Sequence, residues 1–349
     1  SSGLAVYDVY PEIAIAAKRD FKVQQGNSVL SGTTETITAG VDYSAPASSG
    51  TAFIRITNTN NTGAGNTTGG GSQDVQENTV YIQNPDNIET SITFTRDLAL
   101  GDTYVDWEII EFIAQPSTDN EMLVQSASTV GMTSGQTTIS GDVVAVDDDA
   151  DVMVFVTGVS GNNTANNFYA TQVTADWDSL NSRPVFTRGN TGNTFIDISY
   201  AVIEYTGVNW NVQRVEHVYT AAGVGETATI TPVTSLGQVF IHSQKRMGAD
   251  ATVASYGHQA YLSSVGAVTF ELNPSANMGV AHASVVWVIE NQQAGVGAMK
   301  VERQSGTTQG GLEPATVSIV IGNELDAVNN SSIFGNSSAD GTNTAHPRA

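Results

Sequence analysis

The sequence predicts an all-β protein made of tandem small β-sandwiches of an Ig-like or jelly-roll-like kind, with three full units behind an N-terminal half-unit. The first observation is a series of short β-branched runs bounded by Gly, Asn, Asp or Pro, such as Phe53–Ile56, Val152–Val156 and Val239–Ile241. The second is that no long stretch has the apolar period of an amphipathic helix. The third is an internal repeat in which several sequence markers recur in the same order.

The clearest marker of the repeat is an apolar strand that ends in glutamate. It recurs at Glu111, Glu204 and Glu290, at intervals of 93 and 86 residues. A phenylalanine precedes each copy, and a short apolar strand followed by a Thr-rich strand comes after it. These flanking markers are Phe94, Phe186 and Phe270, then Leu123–Gln125, Asn211–Gln213 and Lys300–Glu302, then the strands around Ile139, Ile230 and Ile319. Each unit is expected to hold about six to eight short strands, with one face of each sheet buried.

The same markers divide the chain into five segments. Phe21–Gln24 and Thr36–Thr38 look like the closing half of a unit placed before the first full copy. Ile333 and Phe334 stand where a further unit would open. The predicted segments are a half-unit over 1–44, sandwich repeats over 45–145, 146–234 and 235–322, and a C-terminal strand with a polar tail over 323–349.

An incomplete sandwich suggests a way for copies to associate. Missing strands expose unpaired backbone and an apolar face, which another segment has to cover. One solution is that the half-unit packs on the first repeat of its own chain. The other is a strand supplied by the next subunit, which we expect to come from the C-terminal side. The predicted subunit interface therefore contains Ile13, Ile15, Ile333 and Phe334.

Composition narrows the partners that the chain can have. Its 13 Lys+Arg against 35 Asp+Glu give a net charge of −22, which repels nucleic acids and anionic lipid surfaces. Apolar runs such as Val285–Ile289 are far shorter than a membrane span of ~20 residues. With no cysteine, the chain has no disulfide, thiolate nucleophile or zinc-thiolate site. We expect the protein to bind copies of itself, without nucleic acid or membrane insertion.

One acidic run is a candidate metal site. Asp147, Asp148, Asp149 and Asp151 lie between the first and second predicted units, and clustered carboxylates at such a junction suit calcium. The run lacks the Gly and the distal Glu of a helix–loop–helix calcium loop. The alternative is a solvated acidic turn. Calcium is therefore the one cofactor that the sequence suggests.

The recurrent glutamates do not predict an active site. Glycoside hydrolysis needs two carboxylates a few ångströms apart, whereas Glu111, Glu204 and Glu290 belong to different repeats. We expect Glu111 and Glu204 to pair with Arg96 and Arg188 of a neighbouring strand.

Other catalytic patterns are also missing from the sequence. It contains no nucleophile elbow, phosphate-binding loop or dinucleotide fingerprint. No pair of histidines has the spacing of a zinc site, so we expect them to be ordinary surface residues. These are His217, His242, His258, His282 and His346. The protein is accordingly predicted not to be an enzyme.

Two tryptophans are candidates for glycan binding, and several asparagines are candidates for N-glycosylation. Trp177 and Trp210 lie beside predicted loops and offer the best platform for stacking a glycan, whereas Trp107 and Trp287 lie in predicted core strands. Glycosylation sequons fall in predicted loops or the tail. They are Asn60, Asn66, Asn162, Asn329, Asn330 and Asn336.

In its Thr-, Asn-, Gly- and Val-rich composition and its repeats, the chain resembles repetitive all-β surface and assembly proteins. These include subunits of microbial extracellular filaments and surface layers, and phage tail or capsid-decoration proteins. The resemblance implies assembly from many copies, at the cell surface, outside the cell or on a virion. We expect a rod of tandem sandwiches that polymerises as a structural subunit. The alternative is a glycan-binding adhesin or a phage receptor-binding or decoration protein.

Overall fold

The structure is a computed structural model that describes residues 21–61, 76, 79–99, 101–113, 118–162, 168–249, 258–272 and 276–293. These residues form eighteen β-strands and five short 3-10 helices, which confirms the all-β prediction. None of the helices within these ranges is long and apolar enough to cross a bilayer.

The strands fall into three successive groups of six. The first group is β1 (Phe21–Leu30), β2 (Thr34–Thr38), β3 (Ala52–Asn61), β4 (Tyr81–Ile82), β5 (Ser91–Thr95) and β6 (Thr103–Phe112). The second is β7 (Leu123–Met132), β8 (Thr138–Ser140), β9 (Val152–Gly161), β10 (Val173–Asp178), β11 (Arg183–Arg188) and β12 (Ile196–Glu204). The third is β13 (Trp210–Val218), β14 (Glu226–Thr229), β15 (Val239–Met247), β16 (His258–Ser264), β17 (Ala267–Leu272) and β18 (His282–Asn291). The 3-10 helices are Ser49–Thr51, Pro85–Asn87, Asp149–Asp151, Phe168–Thr171 and Leu236–Gln238.

Every group has the same topology. Its first, sixth and third strands form one antiparallel sheet, which we call the long sheet: β1-β6-β3, β7-β12-β9 and β13-β18-β15. Its second, fifth and fourth strands form the short sheet: β2-β5-β4, β8-β11-β10 and β14-β17-β16. The sixth strand is therefore always the centre of the long sheet, although it is the last of its group in the chain.

Each long sheet packs on its own short sheet around an apolar core. The three marker phenylalanines, Phe94, Phe186 and Phe270, occupy the middle of the fifth strands and are 0% exposed. Trp107 of β6 joins Phe94 in the first core, and Tyr200 of β12 meets Phe186 with ring centroids 4.8 Å apart in the second. The groups are therefore three small β-sandwiches.

The strand pairing shows that each sandwich begins two strands earlier in the chain than the predicted repeat boundaries. β1 and β2 lie in the predicted half-unit 1–44, yet they pair with β6 and β5 of the predicted first repeat. A strand of the Lys22–Gln24 type therefore opens a sandwich, and the glutamate-ended strand closes it. Within the described residues, the half-unit is completed inside its own chain.

The central strands of the long sheets are buried on both faces, whereas one buried face per sheet was expected from the sequence. All ten residues of β18 are buried, as are Trp107–Phe112 of β6 and Ile198–Glu204 of β12. Alternate residues of these strands face the sandwich core. The others, such as Ile110, Ile203 and Trp287, join a single apolar cluster shared by all three sandwiches.

Equivalent residues of the three sandwiches meet in that cluster. Arg55, Phe155 and His242 are each the fourth residue of a third strand. The guanidinium carbon of Arg55 lies 5.9 Å from the centre of the Phe155 ring, and the His242 ring stacks on the same ring at 4.0 Å. The third strands of the three sandwiches therefore come together in one place.

The connections between sandwiches also converge. Oδ1 of Asn120, which lies between β6 and β7, accepts hydrogen bonds from Asn209 at 2.8 Å and from Asn291 at 3.1 Å. Asn209 lies between β12 and β13, and Asn291 ends β18. The sequence left open whether the repeats are collinear or folded back on one another. In the described residues they are folded back, because a collinear arrangement would separate the first connection from the last by a whole sandwich.

Gly26 gives a test of the first sandwich. A Cβ built at this position would lie 2.6 Å from Cη2 of Trp107, its partner in the ladder. We expect Gly26→Ala to lower the free energy of unfolding by about 1–3 kcal/mol, because the buried ring has no room to move. Urea unfolding checks this, with Gly135→Ala as the control, since no atom lies within 4 Å of a Cβ there. Equal stabilities of the two variants would contradict the packing.

Candidate functional site: the interfaces between sandwiches

The first interface joins the edge of sandwich 1 to the long sheet of sandwich 2. By edge we mean the third and fourth strands of a sandwich, and by outer face the side of a long sheet that points away from its own short sheet. β3 and β4 lie against β9, and β4 also contacts β12. The backbone N–H of Ile82 in β4 donates to Oγ of Ser199 at 3.1 Å, and that hydroxyl donates to the carbonyl of Gly158 at 3.3 Å. The edge strand thus gains a side-chain partner from the next sandwich.

The second interface repeats this arrangement one sandwich further along. Gln244 of β15 reaches into the edge of sandwich 2, where its side chain is 7% exposed. Its Oε1 accepts from the N–H of Ala175 in β10 at 2.7 Å, and its Nε2 donates to the carbonyl of Val154 in β9 at 3.0 Å. One amide therefore bridges both strands of the edge.

The two bonded N–H groups occupy equivalent positions. Ile82 pairs with Phe94 in the short sheet of sandwich 1, and Ala175 pairs with Phe186 in that of sandwich 2. The corresponding partner of Phe270 in sandwich 3 is Ala260. Both interfaces are thus head-to-tail, with the edge of one sandwich receiving the outer face of the next.

The backbones approach closely at both interfaces. A Cβ at Gly158 would lie 2.9 Å from the carbonyl oxygen of Val80, and one at Gly189 would overlap the backbone of Met247. Any residue with a Cβ would clash at these positions, so glycine is needed for the two backbones to approach each other.

A buried ion pair lies where the three sandwiches meet. Nη2 and Nε of Arg55 donate to Oε2 of Glu108 at 2.5 and 2.8 Å, and Gln25 donates to Oε1 at 2.6 Å. Arg55 and Glu108 are 7% and 4% exposed, so the pairing compensates for the loss of water around both charges. Desolvation, together with the charge of Arg55, lowers the pKa of His242 to about 3. His242 is therefore neutral, which suits its stacking on Phe155.

The recurrent glutamates cap loops. Each pairs with the first residue of a third strand and accepts from the loop that leads into that strand. Oε1 of Glu111 accepts from Ala47 N–H at 2.7 Å, Oε1 of Glu204 from Asp147 and Asp148 N–H at 2.6 and 2.8 Å, and Oε1 of Glu290 from Thr234 N–H. Burial alone would raise the pKa of Glu290, but hydrogen bonds from Asn211, Thr234 and Gln292 outweigh it and lower the pKa.

The predicted pairing of these glutamates with arginine is wrong. Arg96 and Arg188 lie near the opposite end of the sixth strand, about eight residues or ~26 Å from the glutamates. Arg96 donates to the carbonyls of Leu30, Gly32 and Gly101 and to Thr103, and Arg188 to those of Gln136, Ala170, Thr133 and Thr194. Each buried guanidinium thus closes one end of its sandwich.

In sandwich 3, Leu272 stands at the position of Arg96 and Arg188, and two histidines occupy the corresponding end of the sandwich. His282 Nε2 donates to the carbonyl of Asn277 at 3.0 Å, and its Nδ1 lies 3.2 Å from His258 Nε2. Nδ1 of His258 lies 3.3 Å from Oγ of Ser284, which lies 3.0 Å from the hydroxyl of Tyr219. The expectation of surface histidines is wrong here, since His258 and His282 are 5% and 0% exposed.

The acidic run has local structural partners. Asp148 accepts from Ala150 N–H at 2.9 Å, Asp149 accepts from Trp177 Nε1 at 2.6 Å, and burial followed by the charges of Asp148 and Glu204 raises the pKa of Asp151. Ser48 and Ser235 cap the equivalent helices in the other sandwiches. In the described part of the chain, no group of three His, Asp or Glu side chains is arranged to hold a metal. Calcium binding stays a prediction.

The predicted glycan platform is half-buried. Trp177 packs beside the second core, and the Trp210 ring lies 5.1 Å from that of Tyr205. Trp107 and Trp287 are buried as expected, at 1% and 2% exposure. Glycan binding stays a prediction.

Few of the predicted modification and interface residues can be placed. Asn60 lies in β3 and not in a loop, whereas Asn162 follows β9 and its Oδ1 accepts from Phe195 N–H at 2.9 Å. The remaining sequons and the predicted subunit interface lie outside the described residues: Asn66, Asn329, Asn330, Asn336, Ile13, Ile15, Ile333 and Phe334.

The residues of the interfaces were not found by sequence reasoning. Ser199 and Gln244 are ordinary polar residues within strands, and no spacing rule marks them. The one signal in the sequence was the unbroken apolar run of the sixth strands. Such a run indicates burial on both faces, and the second face then has to pack against another sandwich.

Replacing Arg96 tests the closed end of sandwich 1. We expect Arg96→Leu to lower the free energy of unfolding by about 3 kcal/mol or more, because several buried carbonyls lose their donor. The matched control is Arg183→Leu, whose side chain is 38% exposed and pairs with Asp178 at 3.5 Å, and which we expect to cost at most ~1 kcal/mol. Denaturant unfolding compares the two, and similar losses would contradict the assigned role.

His242 predicts a dependence of stability on pH. Its pKa is about 3 in the folded chain against 6.5 for the free side chain, so only the unfolded chain takes up this proton as the pH falls below 6.5. The protein should therefore lose stability relative to His242→Phe by up to ~1.4 kcal/mol per pH unit between pH 6 and pH 4. Urea titrations at several pH values measure this difference. Parallel pH profiles would show that His242 does not contribute.

Comparison with known proteins gives no family for this chain. No protein-family model matches it, and a search of curated protein sequences found no match.

Proposed function

We propose that this protein is a non-enzymatic structural subunit that self-assembles into an extracellular filament or into a surface or virion assembly, with exchange of a β-strand between subunits. The observation that carries the proposal is the repeated head-to-tail interface. The bonds of Ile82 with Ser199 and of Ala175 with Gln244 join successive sandwiches through equivalent positions. A head-to-tail contact can be extended by further copies, which produces rings or filaments.

The surface chemistry supports a role outside the cell. A net charge of −22 keeps separate copies soluble and discourages nonspecific aggregation. The 13 Lys+Arg in 349 residues leave few sites for trypsin-like proteases. We propose copies of the chain itself as the principal partner. A glycan-binding adhesin or phage decoration protein is the second prediction, and the half-buried Trp177 and Trp210 add no support to it.

Electron microscopy tests assembly directly. We expect negative-stain images of the full-length native material to show regular fibres or sheets of repeating units. Discrete monomers or trimers would contradict assembly and favour the adhesin. The same imaging after treatment with a calcium chelator addresses the acidic run Asp147–Asp151, since loss of order on chelation would support calcium and unchanged order would count against it.

A further inference from the structure

The first strands form the second edge of each long sheet. β1, β7 and β13 pair on one side only, with β6, β12 and β18, so the long sheet leaves the backbone groups on their other side unused. Such a side can accept a strand from another molecule unless charged side chains or a covering segment prevent it. The three first strands differ in this protection.

β7 differs from the other described first strands because it carries no charge. Its ten residues, Leu123–Met132, include no Asp, Glu, Lys, Arg or His. β1 contains Lys22, and β13 contains Arg214 and Glu216. Charged side chains on an edge strand are a common protection against pairing with another chain. In a molecule with a net charge of −22, a second copy can approach β7 without meeting a like charge on the strand itself.

A glutamine fastens β1 and β13 to a loop of their own sandwich. Oε1 of Gln24 accepts from the backbone N–H of Ser44, and its Nε2 donates to the carbonyl of the same residue, both at 2.8 Å. Gln213 holds Thr231 in the same way, at 2.8 and 2.9 Å. In β7, Gln125 is the extra residue of a bulge and donates to the recurrent glutamate of sandwich 2. Within the described residues, β7 thus lacks both the charges and the loop contact of the other two strands.

The free side of β7 forms no backbone hydrogen bond within the described residues. Ser49–Thr51 and Pro85–Asn87 of sandwich 1 contact β7, and Pro85–Asn87 also contacts β12. A segment that touches both strands lies across the outer face of the sheet, and in the described structure neither segment forms a hydrogen bond with β7. Eight of the ten residues of β7 are half-buried or exposed, as expected for a strand with one open side.

The sequence of β7 is nearly symmetric about Ala127. Ser126 and Ser128 lie one residue to either side, Val124 and Val130 lie three residues to either side, and a polar residue stands between each serine and its valine. In an antiparallel pair of two copies centred on Ala127, each serine would face a serine and each valine a valine. A contact across a two-fold axis needs such self-complementarity. The bulge lies outside the three central residues, which pair regularly with β12.

We infer that β7 is a pairing edge for a second copy of this chain, whose own β7 lies antiparallel to it with Ala127 opposite Ala127. The two long sheets then form one continuous sheet of six strands, in which β9-β12-β7 of one copy is followed by β7-β12-β9 of the other. This inference goes beyond the proposed function, because the contact is lateral and two-fold and needs neither a head-to-tail interface nor an exchanged strand. It would join filaments side by side.

A single cysteine tests the pairing, since the chain has none of its own. With Ala127→Cys, the two new sulfurs belong to opposed residues, whose Cα atoms are ~4.5–5.5 Å apart in an antiparallel pair and suit a disulfide. The matched control is Thr129→Cys, on the same face of the strand and also half-buried. Its counterpart in the second copy would lie ~14 Å away, because the two positions are four residues out of register. Full-length chains are oxidised gently and run on non-reducing gels.

We expect at least tenfold more disulfide-linked dimer from Ala127→Cys than from Thr129→Cys. Equal amounts from the two variants, or no dimer from Ala127→Cys, would overturn the inference. Fibres that form without the Ala127→Cys disulfide would refute the lateral pairing and leave the proposed function standing. Selective dimers in material without fibres would support the pairing and contradict the proposed function.

A charge at the same position gives a second test. Ala127→Arg places two arginines opposite each other, and like charges directly opposite weaken a cross-strand pair. Arg214 occupies the equivalent position of β13, so a sandwich of this kind accepts an arginine there. Sedimentation velocity should give a dimer dissociation constant at least tenfold higher for this variant than for Asn27→Arg, which adds the same charge at an exposed site of β1. Equal dissociation constants, in variants that urea unfolding shows to be folded, would overturn the inference.

Discussion

Burial of the long sheets on both faces is the constraint on which the rest of this structure depends. Within a sandwich, one face of β6, β12 or β18 covers the short sheet. The other face carries residues such as Ile110, Ile203 and Trp287, which have to leave water by contacting another sandwich. No sandwich is therefore complete alone, and the three assemble around a common apolar cluster.

That constraint also explains how the edges are handled. The third and fourth strands of a sandwich end its two sheets, and exposed strand edges invite unwanted pairing. In sandwiches 1 and 2 the next long sheet covers them, and Ser199 or Gln244 supplies hydrogen bonds that the edge backbone lacks. The same contact thus buries the outer face of one long sheet and covers the strand edges of the preceding sandwich.

The sequence allowed the sandwiches to be predicted, since their cores depend on local patterns. Phe94, Phe186 and Phe270 recur in order, and alternation around them indicates short strands. The predicted repeat boundaries were misplaced because a tandem repeat carries no sequence signal for its first residue. Only the strand pairing shows that Lys22 lies opposite Glu111 in the same sheet. The role of Gln244 depends on the position of β9 and β10, far away in the chain, so no local pattern encodes it. The burial of His258 and His282 was not predicted. Leu272 stands where the other two sandwiches have a buried arginine, so the polar end of sandwich 3 needs other hydrogen-bond donors.

The acidic charge limits how copies of this chain can associate. At −22 per chain, two copies repel each other at long range, so a contact that depends on weak surface attraction would not persist. The proposed exchange of a strand would escape this limit, because backbone hydrogen bonds and apolar contacts act at short range. Under the proposed function, the negative charge would therefore exclude nonspecific association, and strand exchange would provide the specific short-range contact that overcomes the repulsion.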